Sequence, residues 1–168
     1  MKRLRLSRNR QAKSAPYTSP LSVQTRRSTS SLEVIAAFLK VGRSGSIVDN
    51  IMSGGLFIGI ELDSGKLDGN AFTELEYGGR VYSKHPDSGI EFKGFTIPNF
   101  SDVKEMACQA ANCISSKLIG WDIAVTTNGP ILIEGNHWLH LGIQDIAYGG
   151  LRRNAVFEKV MIEAGIRI

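Results

Sequence analysis

Three oxygen-bearing side chains stand close together in one stretch of the sequence. Asp122 precedes Glu134 by twelve residues, and Asn136 follows two residues later. Carboxylate and amide oxygens are the ligands that hard cations such as Mg²⁺ prefer, and Mg²⁺ commonly keeps several waters and also binds phosphate oxygens. The immediate neighbours of both acids are apolar, and unpaired carboxylates are seldom placed in such surroundings. These residues therefore predict a site for Mg²⁺ and nucleotide phosphate, with solvated carboxylates on an exposed strand as the alternative.

The segment from Trp121 to Asn136 must position these side chains, and its pattern predicts a β-hairpin. Two β-rich runs flank Asn128-Gly129, a pair typical of tight turns. If Asn128 and Gly129 alone form the loop, Asp122 and Glu134 project from opposite faces of the hairpin. If the loop also includes Thr127, with Gly129 left-handed in a bulge, the two acids lie directly opposite each other. In that register the two carboxylates repel each other and require a cation between them.

Other motifs give weaker predictions. His137 and His140 follow Asn136 and could join Glu134 in a transition-metal cluster, but we expect them to be solvent-facing or supporting residues. Trp121 and Trp138 flank the motif and are interpreted as packing walls. The sequence contains no G-x-x-x-x-G-K-[ST] phosphate loop, no G-x-S-x-G nucleophile motif and no dinucleotide-binding G-x-G-x-x-G.

The elements around the hairpin indicate an α+β fold: a mainly antiparallel sheet with helices packed on one face. Strands are predicted at 31–41 and from Leu56, with a closing turn at 63–65, and short strands near 80–83 and 90–92. Asp102 and Glu105 have the spacing of a capping box before a helix. The predicted core face of that helix consists of Val103, Met106, Ala107, Ala110 and Ile114, and that of a last helix consists of Val156, Phe157, Val160, Met161 and Ala164.

The positive charge is concentrated at the N-terminus. Eight of the twenty Lys and Arg residues lie within the first 27 positions, which contain no acid, and from Ser28 onward the net charge is −4. Residues 1–19 are therefore predicted to be a disordered basic leader, with a functional basic arm as the alternative. Nucleic-acid binding is not expected, because the rest of the chain shows no surface of aromatic and basic residues.

Composition also bears on the cellular compartment. No apolar run approaches the roughly 18 to 20 residues needed to cross a bilayer, so no membrane span is expected. Cys108 and Cys113 lie five residues apart and fit neither a C-x-x-C motif nor a disulfide framework. A reducing, cytoplasmic location is the resulting expectation.

The motif W-D-I-A-V-T-T-N-G-P-I-L-I-E-G-N at 121–136 resembles the paired-strand Mg²⁺ motif of the C-terminal catalytic subdomain of ATP-grasp proteins. Asn50 to Gly55 is similar to the N-x-x-x-G-G element of several ATP-grasp ligases. Together with 22–27, His85-Pro86-Asp87 and Ile97-Pro98, these landmarks resemble the sugar-transfer-associated, or α-L-glutamate-ligase-like, subgroup. The resemblance covers about residues 20 to 165.

The resemblance implies roles for further residues. Asn50, Gly54 and Gly55 would lie close to the phosphates or the acceptor. His85 and Gln144 would contact the substrate, with a turn role as the alternative for His85. The basic side chains of Arg27, Lys40 and Arg43 are candidate catalytic counter-charges for phosphate, with a solvated cation as the alternative for each.

The implied activity is that of an ATP- and Mg²⁺-dependent ligase. It would activate a carboxylate as an acyl phosphate for attack by an amine-like nucleophile, and the subgroup implies a role in the synthesis of a cell-surface sugar polymer. Two departures from the subgroup are Lys40, where Arg is preferred, and the apparent absence of the N-terminal nucleotide-clamping subdomain before residues 20–168. The alternative is therefore an inactive remnant or binding module whose site is completed by a partner chain or a second copy.

Overall fold

A seven-stranded antiparallel sheet forms the centre of the protein, in the strand order β5-β4-β3-β2-β1-β6-β7. The computed structural model describes residues 20–28, 31–43, 51, 54–137, 139–150 and 155–163, without the side chains of Val156, Val160 and Met161. The predicted leader at 1–19 lies outside these residues. The elements are β1 (Leu21–Arg27), β2 (Leu32–Val41), β3 (Leu56–Ile60), β4 (Leu67–Phe72), β5 (Val81–Tyr82), α1 (Phe100–Asn112), β6 (Leu118–Thr126), β7 (Gly129–Asn136), α2 (Leu141–Ala147) and α3 (Ala155–Glu163).

The main core lies between the sheet and α1. Alternate residues of the central strands point to this face because successive side chains of a strand project to opposite sides. Val103 and Ala107 of α1 are fully buried against it. Trp121 of β6 is also buried here, and its indole N–H donates a hydrogen bond to Thr25 Oγ1 at 2.8 Å. The packing role predicted for Trp121 agrees with this position.

A second, smaller core covers the opposite face of the sheet, where α2 packs. Phe38 of β2 and Phe57 of β3 meet Ile143 and Ala147 of α2 there. The α+β class with an antiparallel sheet is confirmed. The sequence analysis predicted helices on one face of the sheet, whereas α1 and α2 cover opposite faces. In the middle of β2 both the odd-numbered and the even-numbered residues are apolar, so each face of the sheet can pack against a helix.

The first helix differs in detail from its prediction. It begins at Phe100 after Asn99, which has a left-handed backbone with φ of 51° and makes no side-chain cap hydrogen bond. Asp102 therefore lies inside the first turn and does not form a capping box. Its negative charge interacts favourably there with the positive end of the helix dipole. Ile114 lies beyond the end of the helix and is 43% exposed, so its assignment to the core face was wrong.

None of the described helices has both the length and the apolar character required to cross a membrane.

Candidate functional site

The hairpin of β6 and β7 places Asp122 directly opposite Glu134. Gly120 is opposite Asn136 at the next position on the same face. The three predicted oxygen donors therefore lie together at one end of the hairpin.

This register is reached by a route that the sequence did not predict. Thr126 pairs with Gly129, so that Thr127 and Asn128 form a two-residue turn, and Gly129 has a φ of 110°. The pairing then shifts between Asp122 and Ile123, which leaves Ile133 of β7 without an opposing residue. One extra residue of this kind is a β-bulge, and it moves all later side chains of the strand to the other face. Without it, Glu134 would point away from Asp122.

Lys40 supplies a positive charge beside the acids. Its Nζ lies 2.5 Å from Asp122 Oδ2, and the two side chains are only 18% and 14% exposed. Lys40 belongs to β2, so its side chain crosses β1 to reach β6. Lys40 lies beside Pro20, the residue before β1, whereas Ser22 of β1 is the residue opposite Asp122.

Glu134 and Asn136 are exposed, and Asn136 Nδ2 donates a hydrogen bond to Glu134 Oε1 at 3.0 Å. Two carboxylates and one amide suit a hard cation that retains waters, since the exposed side of the site leaves room for them. No group of three His, Cys, Asp or Glu side chains in the described part of the chain is placed to hold a metal. The transition-metal cluster is therefore not formed there, and the donor set fits Mg²⁺ better.

These residues border a cleft of about 210 Å³ on the α2 face of the sheet. Its described lining combines polar side chains with an apolar wall from β2 and α2. The lining residues are Ser22, Gln24, Phe38, Lys40, Ile51, Gly120, Asp122, Glu134, Asn136, Leu139, His140, Ile143 and Gln144.

Two glutamines form a buried part of this lining. Gln144, predicted to contact the substrate, is 1% exposed, and so is Gln24. Gln24 Nε2 donates to Ser22 Oγ at 3.2 Å, whereas the Oε1 atoms of both glutamines lack a hydrogen-bond partner within the described residues. Ser22 and Gln24 were missed as site residues. Their signal was the alternation of Leu21, Val23 and Thr25 with polar residues, which predicts a strand with one polar face.

Tyr148, at the end of α2, fixes this helix to the sheet. Its hydroxyl accepts a hydrogen bond from Ala37 N at 2.8 Å and lies 2.7 Å and 2.8 Å from the carbonyl oxygens of Ala37 and Ile60. Burial raises the pKa of Tyr148 to about 12, although the hydrogen bond donated by Ala37 N–H opposes the shift. The neutral hydroxyl therefore holds α2, and with it Gln144, against β2 and β3.

His140 connects the cleft to a buried acid. Its Nε2 lies 3.6 Å from Oε1 of Glu74, which is 5% exposed. This separation permits an ion pair when the imidazole is protonated but is too long for a hydrogen bond. His140 therefore supports the wall of the cleft.

Three predicted residues lie outside the cleft. Arg27 projects to the α1 face, where its Nη2 donates to Ala111 O at 2.5 Å at the C-terminal end of α1. Arg43 lies 4.0 Å from Asp87 and 5.9 Å from the ring centre of Tyr82. His85 acts in a turn: its Nε2 contacts Gly42 O at 3.0 Å, and its Nδ1 accepts from the backbone of Asp87 at 3.3 Å.

The N-x-x-x-G-G element reaches the cleft through Ile51, which sequence reasoning did not single out. Asn50 lies outside the described residues. Gly54 has a φ of 82° and lies against the Tyr77 ring, and Gly55 is buried. Neither glycine is part of the cleft lining.

The comparison with known families agrees with this architecture. The sequence model of the sugar-transfer-associated ATP-grasp family matches residues 12–159, and the chain belongs to that family. Membership supports nucleotide binding and ATP-dependent, ligase-type function, and ATP-grasp proteins generally bind ATP and Mg²⁺. No curated protein and no solved structure matches the chain.

Proposed function

We propose that the protein binds ATP and Mg²⁺ in the cleft and activates a carboxylate as an acyl phosphate for attack by an amine-like nucleophile. The observation that carries this proposal is the pairing of Asp122 with Glu134, with Asn136 on the same face, in a cleft that also contains Lys40. Family membership supports the ATP-dependent ligase class. The family description also motivates the proposal that the product belongs to a cell-surface sugar polymer.

Asp122, Glu134 and Asn136 would hold Mg²⁺, which neutralises charge on the phosphate oxygens when bound. Lys40 would contact an anionic oxygen of the phosphate or of the acyl phosphate. Arg27 and Arg43 contact other parts of the protein, so Lys40 is the basic residue that this proposal retains from the three.

The other cleft residues bind and shield the reactants. Gln24 and Gln144 present amide groups that can hydrogen-bond a substrate, and Phe38 and Ile143 form an apolar wall that limits access of water. Exclusion of water strengthens charge interactions in the cleft and protects an acyl phosphate from hydrolysis. His85 is not included, since its ring nitrogens contact Gly42 and the 87–88 backbone.

The first test is calorimetric titration of ATP into the protein with and without Mg²⁺. We expect binding that requires Mg²⁺, and we expect Glu134→Gln to reduce it at least about tenfold, because the substitution removes a ligand charge while retaining the shape of the side chain. Equal Mg²⁺-dependent binding in wild type and Glu134→Gln would remove Glu134 from the site.

Glu105→Gln is the matched control for this experiment. Glu105 is exposed on α1, on the other face of the sheet, and accepts a hydrogen bond from Gln109 at 2.9 Å. The control makes the same change in net charge, so it should bind ATP and Mg²⁺ as the wild type does. A similar loss in both variants would indicate a long-range charge effect.

A second candidate is a binding module or inactive remnant whose nucleotide site is completed by another chain. The small cleft favours it: about 210 Å³ is less than the roughly 300–1,000 Å³ typical of pockets that enclose a small molecule. This volume suits the phosphate end of a nucleotide. Conversion of added ATP and Mg²⁺ to ADP by the purified protein, dependent on added mixtures of carboxylates and amines, would argue against the remnant.

A further inference from the structure

We propose that Lys40 is an internal counter-ion for Asp122, and that a metal ion and an anionic ligand must displace Lys40 together. This inference rests on the proposed Mg²⁺ site and concerns how that site is regulated. The Lys40 ammonium is paired with the Asp122 carboxylate, with Nζ 2.5 Å from Oδ2. Binding of Mg²⁺ to Asp122 requires Lys40 to move, and an anionic oxygen gives the displaced ammonium a new partner.

The charges of the cleft support this competition. Among the described residues that line the cleft, Lys40 is the only lysine or arginine, and the same lining includes the acids Asp122 and Glu134. A cation bound to Asp122 would lie close to the ammonium, and this repulsion is only partly screened because both partners of the pair are mostly buried. Metal binding alone is therefore opposed by a positive charge already present in the site.

The path of the Lys40 side chain supports its mobility. It extends from β2 across β1, and neighbouring strands are about 4.8 Å apart, so it covers much of a distance of roughly 10 Å to β6. Ser22, the residue of β1 opposite Asp122, has a small side chain. A lysine has a flexible four-carbon stem, so the ammonium can turn from Asp122 toward a ligand without movement of the backbone.

Displacement of a shared counter-ion couples the two ligands thermodynamically. A phosphate that draws Lys40 away leaves Asp122 free for the metal, and a metal on Asp122 leaves Lys40 free for the phosphate. Such coupling is reciprocal, and factors of roughly 5 to 150 are typical of it. The site would consequently discriminate against Mg²⁺ without nucleotide and against nucleotide without Mg²⁺.

The test measures metal binding without nucleotide, with Mn²⁺ as the probe because it takes the same oxygen ligands and its free form is detected by electron paramagnetic resonance. Lys40→Met removes the ammonium and retains an unbranched side chain. We expect this variant to bind Mn²⁺ about tenfold more tightly than wild type, whereas Lys40→Arg, which retains the charge, should bind it as weakly as wild type.

Lys84→Met is the matched control. Lys84 pairs with Glu91 at 2.9 Å, is 58% exposed and lies outside the cleft, so the variant has the same net charge as Lys40→Met without touching the site. It should bind Mn²⁺ as the wild type does. A similar gain in both methionine variants would attribute the effect to net charge and overturn the inference.

Thermal unfolding provides a second readout that also shows whether each variant folds. A ligand that binds only the native state stabilises it by an amount that grows with its affinity. Mg²⁺ should therefore raise the Tm of Lys40→Met more than that of wild type. Equal or weaker Mn²⁺ binding by folded Lys40→Met overturns the counter-ion role but leaves the metal site intact, whereas absence of binding by every variant overturns both.

Discussion

Gly135 separates the two site residues Glu134 and Asn136 on β7, and the ring of Trp121 fills the space next to its Cα. A Cβ at this position would lie 2.6 Å from Trp121 Cζ3 and 2.9 Å from Cε3. Trp121 cannot easily retreat, because it is 3% exposed and hydrogen-bonded to Thr25. The glycine of the E-G-N sequence is therefore required by its packing against Trp121.

Gly135→Ala should destabilise the protein by about 1–3 kcal/mol, the usual range for an overpacked core. Urea unfolding measures the change in the free energy of unfolding. Gly142→Ala is the control and should raise the free energy of unfolding. A Cβ at this position has its nearest contact at 3.8 Å, and alanine stabilises a helix relative to glycine by about 0.5–1 kcal/mol. Equal stability of Gly135→Ala and wild type would contradict the packing argument.

The two cysteines should differ in reactivity. Burial raises the pKa of the Cys108 thiol, although Lys104 opposes the shift, whereas Cys113 is exposed. Since the thiolate is the reactive form, iodoacetamide at pH 8 should modify Cys113 before Cys108. Mass spectrometry of peptides taken during the reaction measures both rates, and faster labelling of Cys108 would contradict the burial that the structure gives it.

At the scale of elements, α2 depends on the hydroxyl of Tyr148. Tyr148→Phe removes the partner of Ala37 N–H at the β2–β3 boundary and should cost about 1–3 kcal/mol, the penalty for a buried polar group left unpaired. It should also lower ATP affinity, since α2 carries Gln144 and Ile143 into the cleft. Tyr82→Phe retains a half-buried ring at the sheet edge and should behave as wild type.

The same residue predicts a dependence on pH. The pKa of Tyr148 is about 12 in the folded protein, above its ordinary value near 10, so the native state retains a proton that the unfolded chain loses first. The contribution of Tyr148 to the free energy of unfolding is therefore fully present below pH 10. It is lost between about pH 10 and 12 and amounts to roughly 2–3 kcal/mol. The stability difference between wild type and Tyr148→Phe should shrink over this interval in urea unfolding. A difference that stays constant would refute the assignment.

Strands and helices with a clear hydrophobic pattern were predicted from the sequence, and those without one were missed. β2, β3 and the β6–β7 hairpin have strongly apolar or β-branched sequences, and the sequence predicted each of them. β1 was missed because polar residues such as Gln24 and Arg26 are buried in it, and Arg26 is satisfied by Glu33 at 2.8 Å and Glu163 at 2.5 Å, which the sequence cannot reveal. α2 was missed because it is short, contains Gly142 and has no side-chain cap.

The sequence predicted the metal-binding residues of the site but not the residues that other strands contribute to it. Hard oxygen ligands at a fixed spacing indicated Asp122, Glu134 and Asn136, and a hairpin brings them together. The partners from other strands, Ser22, Gln24 and the Lys40 pair with Asp122, depend on the strand order β2-β1-β6. Strands this distant in sequence become neighbours only in the folded sheet, so local sequence patterns do not predict these contacts.

For the whole molecule, β7 is the outer strand of the sheet beside the site. Ile131, Leu132 and Ile133 on it are 46%, 39% and 57% exposed. An apolar outer strand presents unpaired backbone groups that can pair with another chain. We expect self-association through this edge, which would bring a second copy next to Glu134.

Sedimentation velocity over a range of concentrations tests this expectation. Wild type should gain mass with concentration, and Ile133→Lys should remain monomeric, since a charge on an edge strand opposes pairing. Ile162→Lys on α3 replaces another exposed apolar residue, 61% exposed, and should associate as wild type does. A wild type that is monomeric throughout would exclude this interface.

The bulge at Ile133 lets the hairpin absorb one residue without a change in the face of Glu134. A two-residue turn with the bulge and a three-residue turn without it give the same pairing of Asp122 with Glu134. Deletion of Ile133 would remove the unpaired residue and leave Leu132 opposite Ile123 and Glu134 opposite Asp122, so Glu134 and Asn136 would keep their face. The pairing of the two acids, and not the twelve-residue spacing between them, is therefore what evolution should retain in this hairpin.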